Sequence, residues 1–296
     1  MDRWKTSTDI LIVQAVKECI QGKFDEIQAG DGSSKDRSVL ALALKETDTL
    51  TPMILQNISD QIKTFLFAGH DTTSILLQRL YYVLSIHPKC LAKIRSEHDS
   101  IFGDADPREV FLARPDETVK ALVYTSACIK EALRLWPPAG SARMSHNGLK
   151  LTTSDGEQIC LDECVLYIIH HIIQRDPKVY GETANDFVPE RWVGDTDTSS
   201  ATVDQDGLAA GESKIPVSAW RPFERGPRNC IGQELANLEA RVILACTVRR
   251  YDFEKVGRGE VVRDEKGQPI IDEKGKYKTK DELISVSNIF ESRTAA

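Results

Sequence analysis

Nowhere in its 296 residues does the sequence carry an uninterrupted apolar stretch with the length and flanks of a membrane-spanning helix, and its first residues show no signal-peptide pattern. Neither a transmembrane anchor nor a secretory leader is expected in the chain. Basic excess is lacking as well. The formal net charge is −7 and is spread over mixed-sign segments such as DEKGQPIIDEKGK, which argues against nucleic acid as the principal partner. Disulfide and zinc spacings are also missing. The seven cysteines, at 19, 90, 128, 160, 164, 230 and 246, form no close CxxC ladder, and no histidine cluster completes a zinc site. All of them except Cys230 read as ordinary thiols of a chain in a cytosol-facing, reducing setting.

The chain does have enough apolar material, 41% of its residues, to fold around a substantial core. Its opening segment, MDRWKTSTDILIVQAVKECIQGKFDEI, reads as a helix with Ile12, Val16 and Cys19 along one face, and the polar QAGDGSSKDRS that follows reads as a loop. A long helix is expected between Thr51 and Pro88, with Thr51 as N-cap, Pro52 in the first turn and Pro88 as the stop. Apolar coverage over many turns predicts that this helix is largely buried. Inside it, FLFAGHDTTS places Gly69 beside Asp71, Thr72 and Thr73. That is either a break admitting ligand or water, or a kinked helix with satisfied polar groups.

TVKALVYTSACIKEALRLWPP predicts a second helix, which Pro137 and Pro138 end and on which Glu131 and Arg134 share a face. That pair is either a surface salt bridge or a buried bracket. The segment from Gly148 to Pro177 reads as short strands joined by the Asp155-Gly156 turn, with His170 and His171 on opposite faces of a strand in structural or surface roles. DTDTSSATVDQDGLAAGESK reads as a surface insertion.

Cys230 lies in WRPFERGPRNCIG, ahead of a helix whose apolar side is expected to carry Leu235, Leu238, Val242 and Ile243. Gly226 and Gly232 permit tight backbone paths, and Arg225 and Arg228 add positive charge. A thiolate there would meet the positive end of the helix, and the setting favours an anionic ligand or a metal-bound thiolate over a disulfide. The residues alone leave open haem ligation, a nucleophile and a buried thiol.

Four stretches in order, AGHDTT at 68–73, EALR at 131–134, PERW at 189–192 and PFERGPRNCIG at 222–232, resemble the cytochrome P450 family. The resemblance runs from the central helix through most of the remaining chain. It implies a mainly α fold with small β-sheets, the C-terminal portion of the P450 fold, with a long central helix over haem and a cysteine-ligand loop before a following helix. In domain terms it implies a partial P450 domain over 1–296, with an N-terminal helical and linker region at 1–48 and the surface insertion at 195–215.

By this resemblance Cys230 is the axial thiolate ligand of haem b, iron protoporphyrin IX. Phe223 packs near the ligand, Gly226 and Gly232 shape its loop, and Arg228 and Arg143 meet propionates. On the opposite face Gly69 makes room for oxygen, while Asp71 and Thr72 form the acid-alcohol pair that delivers protons; His70 occupies a variable position. Glu131, Arg134 and Arg191 form a structural ion network, with Trp192 in place of the more usual phenylalanine.

The implied activity is that of a haem-thiolate monooxygenase inserting one atom of dioxygen into a small hydrophobic organic substrate, most like fungal members of secondary metabolism. Desaturation and epoxidation are alternatives within that class. Electrons would come from an NADPH-dependent cytochrome P450 reductase. The early position of the central helix further implies a C-terminal portion: full-length relatives are expected on the endoplasmic reticulum membrane facing the cytosol, and the isolated chain in the cytoplasm. The alternative is a truncated, catalytically inactive P450-derived fold or interaction fragment.

Overall fold

The computed structural model describes residues 3–30, 36, 38–145, 148–193 and 215–280, so the 195–215 insertion lies outside the described residues except for its last position. Two compact units divide the chain, residues 1–71 and 72–296, and the boundary falls inside a helix.

The first unit holds α1 (Arg3–Gln28), α2 (Val39–Leu44) and the first half of α3 (Pro52–Ile86). Its core gathers Val16, Ile20, Leu44 and Ile58, with Phe24 and Ile27 packed against them. The expected α1 stripe is therefore corrected, because Ile12 and Cys19 are exposed and the buried line runs Val16, Ile20, Phe24, Ile27. Steps of four, four and three residues keep that line on one side of a helix. At the start of α3, Thr51 Oγ1 accepts the Ile54 N–H at 3.3 Å and Pro52 opens the first turn, as their types predict.

Helix α3 runs unbroken through Gly69. Its expected burial fails in the middle, where Phe65, Leu66 and Phe67 are exposed, Phe67 by 72%, and residues 68–71 are exposed too. Burial resumes at Thr73, Leu76, Leu80, Val83 and Leu84. An apolar period reports which face can be covered, and the cover itself must come from other elements.

In the second unit, the C-terminal half of α3 packs with α4 (Pro88–Phe102), α7 (Val123–Leu135) and α10 (Gln233–Thr247) around Leu80, Ile94, Leu133 and Leu244; α5 (Pro107–Ala113) and α6 (Pro115–Ala121) flank them. Pro88 both stops α3 and starts α4. The single helix expected over 118–136 is two, interrupted at Leu122 (φ −79°, ψ 58°). The cause lies outside the segment: the Glu97 carboxylate of α4 accepts the N–H groups of Tyr124 and Thr125 at 2.5 and 2.9 Å. Those donors at the head of α7 would otherwise have no intrahelical acceptor.

Strands β1 (Ser141–Met144) and β4 (Val165–Ile168) pair antiparallel, as do β2 (Lys150–Thr152) and β3 (Gln158–Cys160) across the Asp155-Gly156 turn. Gly140 lies under the exposed Tyr167 ring of β4, which would have to swing aside for a Cβ at that position. Pairing ends at Ile168, and the chain turns into α8 (His170–Ile173) and then α9 (Pro177–Tyr180). The strand expectation for the histidines is thus corrected: both lie in α8, His170 buried and His171 exposed. On α10 the expected apolar side is corrected in part: Val242 packs against the core, but Leu235 and Leu238 are exposed, and the buried positions are Leu244 with Ala240 and Ala245, alanines that allow close helix approach. A feature that the sequence pattern did not suggest follows, in which two Asp-Glu-Lys-Gly turns, 264–267 and 272–275, link three isolated antiparallel bridges. Among the described residues no helix is long and apolar enough to cross a membrane.

One buried group gives the second unit an acid sensitivity. His98 is fully buried, and burial lowers its imidazole from 6.5 to about 4, with Arg249 adding to the effect. The Thr125 hydroxyl donates to Glu97 at 2.6 Å, so His98 Nε2–H donates to Thr125 Oγ1 at 2.8 Å, and the unprotonated Nδ1 is left without a donor. Between pH 6.5 and 4 the unfolded chain takes up a proton that the folded chain refuses, so this contribution to stability is lost as pH falls. Urea unfolding of wild type should show a loss of about 3 kcal/mol from this group across the window. A His98→Gln variant should show a correspondingly shallower dependence; an unchanged slope would remove His98 from the account.

Candidate functional site

Glu131 and Arg134, three residues apart on α7, are both 0% exposed and pair at 2.8 Å. All five guanidinium N–H donors of Arg134 are used. Nε and Nη2 reach the two Glu131 oxygens, Nη1 donates to the Gln174 and Ala184 carbonyls, and Nη2 also donates to the Asp186 carbonyl, all within 2.7–3.0 Å. Glu131 in turn accepts the Val188 N–H at 2.9 Å, Arg191 Nε at 3.0 Å and Trp192 Nε1 at 2.8 Å. The structure thus brings Glu131, Arg134 and Arg191 together, and the buried bracket is the arrangement found. Arg134 also lies over the Tyr180 ring at 4.6 Å.

Gln174 carries this support toward the cysteine. Its amide is fully buried; Nε2 donates to the Leu133 and Arg134 carbonyls at 3.1 and 3.0 Å, and Oε1 accepts the Arg221 N–H at 2.6 Å. Arg221 begins a turn closed by the Glu224 N–H to its carbonyl at 3.1 Å. Glu224 stands at φ +58°, a left-handed backbone that residues with a Cβ rarely adopt. Its carboxylate accepts Arg221 Nε at 2.9 Å and the Arg225 N–H at 3.2 Å, and His170 Nε2 faces it at 3.4 Å. Burial raises the Glu224 carboxyl, but hydrogen bonding and charge from Arg221 outweigh it and bring the group below its ordinary value.

The loop closes where the Cys230 N–H donates to the Phe223 carbonyl at 2.9 Å. Gly226 (φ +79°) supplies the intervening turn, and Gly232 is the N-cap of α10. The Cys230 thiol is free and exposed; a Cβ at Gly232 would lie 3.9 Å from its sulfur. Phe223 packs edge-on to Trp220 at 6.3 Å, and Trp220 packs edge-on to Trp192 at 6.1 Å. Lys130 lies over both indoles, at 5.1 and 5.6 Å, and burial lowers its ammonium to about 8, with Arg241 adding to the effect.

The remaining candidates are placed more loosely. Arg143 on β1 is half-buried and donates through Nη1 to Ser141 Oγ and the Ala142 carbonyl. Arg228 is exposed beside Cys230 in the chain. Gly69 and Asp71 are exposed on α3, Thr72 is half-buried, and His70 Nδ1 lies 3.4 Å from the Asp71 carboxylate. Gln174, Glu224, Arg221 and His170 were not foreseen as site residues. Glu224 and Arg221 stood inside the quoted loop motif, whereas Gln174 carried no local signal at all.

The sequence model of one family, Cytochrome P450, matches residues 4–280. Among curated proteins the chain is 35% identical over 238 residues to cytochrome P450 monooxygenase acrF of Aspergillus aculeatus, covering 77% of this chain and 48% of that protein. It is 34% identical over 206 residues to cytochrome P450 monooxygenase polC of Polytolypa hystricis, with 69% and 34% covered. Cytokinin hydroxylase of Arabidopsis thaliana matches at 34% over 245 residues, 80% of this chain and 42% of that one. The chain therefore spans half or less of the length of these relatives.

Removing one partner of a fully buried ion pair strands the other, at a cost of about 3–5 kcal/mol. Glu131→Ala should lower the unfolding free energy by that amount in urea titrations. Arg191→Ala, which removes a partner at the rim of the network, should cost only about 1–3 kcal/mol. Equal losses would mean that Glu131 is not the hub.

Proposed function

This chain belongs to the cytochrome P450 family, and from that premise we propose that it carries the thiolate side of a haem monooxygenase, with Cys230 as the axial ligand of haem b. The observation that carries the reading is the state of Cys230: a free, exposed sulfur at the head of α10, held by a backbone bond to Phe223. The donor set suits the group. One soft sulfur is offered, Gly232 leaves its flank clear of side chain, and Ile231 and Leu235, 90% and 64% exposed, provide apolar surface that a macrocycle could cover.

When bound, haem supplies the reduction and splitting of dioxygen and the insertion of one oxygen atom into an organic substrate, the other leaving as water. The chain's own residues would do the rest. Phe223 would pack near the ligand, and the guanidinium groups of Arg228 and Arg143 would offset the propionate charges. Gly69 would leave room beside the reacting centre, while the Thr72 hydroxyl and Asp71 carboxylate hold and pass protons. Glu131, Arg134 and Arg191 serve as structural support. The substrate class we assign is a small hydrophobic metabolite, and epoxidation and desaturation fall within the same chemistry; the monooxygenase chemistry itself is what two fungal relatives carry in their names. Electrons would arrive from an NADPH-dependent cytochrome P450 reductase. Because the chain spans half or less of these relatives, a P450-derived unit without catalysis is the second reading, and haem binding separates the two.

Reconstitution with haem should give a reduced carbon-monoxide adduct with the Soret position of a thiolate ligand, and Cys230→Ala should abolish that band. A folded wild-type chain that binds no thiolate-ligated haem would sink the enzyme reading for these 296 residues. In a haem-loaded protein supplied with a reductase, Thr72→Ala should leave haem binding intact and lower product formed per oxygen consumed. The effect of a lost proton donor is about 100-fold on rate; unchanged coupling would remove Thr72 from proton delivery.

A further inference from the structure

Two candidate haem contacts, the Cys230 loop and Arg143 on β1, stand far apart in sequence yet converge on one buried carboxylate. On the loop side, Glu224 is clamped by Arg221 and accepts the Arg225 N–H, and Arg221 is itself fastened through its N–H to Gln174. On the strand side, Arg143 Nη1 donates to Ser141 Oγ at 2.5 Å, and the Ser141 side chain helps to hold the same carboxyl below its ordinary value. His170 closes the third side, with Nδ1 on the Ala139 carbonyl at 3.0 Å and Nε2 facing Glu224 at 3.4 Å. A glycine at 224 would meet the φ of +58° with no steric conflict, yet a residue with a Cβ and a charge occupies the position. Backbone convenience therefore does not explain this residue, whereas its side-chain contacts do.

We propose that Glu224 is a positioning residue whose carboxylate sets the Cys230 loop and the Arg143 strand in register with each other. Its consequence for ligation rests on the reading of Cys230 as the haem ligand, while its consequence for the loop does not. The carboxylate acts through geometry. It holds Arg221 and the Arg225 N–H, which fixes the start of the loop, and the Phe223 carbonyl beside it then receives the Cys230 N–H at 2.9 Å. Through His170, which meets the Ala139 carbonyl just ahead of β1, the same group reaches the strand from which Arg143 projects.

The test compares Glu224→Gly, Glu224→Ala and Glu224→Gln in the full chain. Residue-resolved hydrogen exchange of the Arg225 and Cys230 amides reads the loop without haem, and urea unfolding reads the whole fold. Loss of a charge-assisted bond predicts exchange about tenfold faster at both amides in the glycine variant. Because glycine relieves the left-handed backbone, the urea midpoint should change little. The glutamine variant, which keeps an acceptor oxygen, should restore most of the protection. Wild-type protection in Glu224→Gly would overturn the proposal, and so would a glutamine variant no better than alanine. In haem-loaded protein, the glycine variant should show a smaller thiolate fraction in the carbon-monoxide spectrum than wild type. If wild type itself shows no thiolate adduct, the haem reading fails while the exchange result still decides the role of Glu224.

Discussion

Two opposite charges buried to 0% exposure, Glu131 and Arg134, set the terms for the second unit. Taking such groups out of water costs several kcal/mol each, and their mutual attraction offsets that only when the remaining donors and acceptors are also filled. Here they are filled by chain that must come to them: the carbonyls of residues 174, 184 and 186, the Val188 N–H, Arg191 and the Trp192 indole. The segment from 181 to 192 forms only two short 3-10 helices, Gly181–Thr183 and Pro189–Trp192, and the chain between and around them gives its polar groups to the pair.

From that pair the constraint passes by hydrogen bonds to the cysteine. Gln174 joins the end of α7 to Arg221, Arg221 joins Glu224, and the loop then turns through Gly226 and returns the Cys230 N–H to Phe223. Beneath it, Trp192, Trp220 and Phe223 form an aromatic floor capped by Lys130. The arrangement leaves an exposed sulfur in a loop closed by backbone hydrogen bonds. The proposed ligation would need this combination, since a flexible thiol would pay ordering entropy on binding and a covered one could not bind.

Much of this was legible locally. The Thr51 cap, Pro52, the Asp155-Gly156 hairpin and the Glu131–Arg134 spacing are short-range features, and each appears in the structure. The misreadings share another origin. Leu235 and Leu238 looked like core because they are large and helically spaced, but the neighbours of α10 accept its alanines. The break at Leu122 follows from a carboxylate on α4 some 25 residues earlier in order of the chain, roughly the span between Glu97 and Leu122. His170 left its strand because β1 supplies no partner past Ser141.

The sequence by itself determined the chemical inventory: one cysteine set between glycines and arginines ahead of a helix, an acid and a base one turn apart, and an acid-alcohol pair in a long apolar helix. These are covalent facts, and spacing along one helix or loop carries them. Only the tertiary structure decided which groups meet. Glu224 finds His170, Gln174 finds Arg221, and Glu131 finds Arg191 and Trp192 across separations of tens of residues. A buried polar group must be satisfied by whatever the packed fold places within about 3 Å, and no local pattern names that partner in advance.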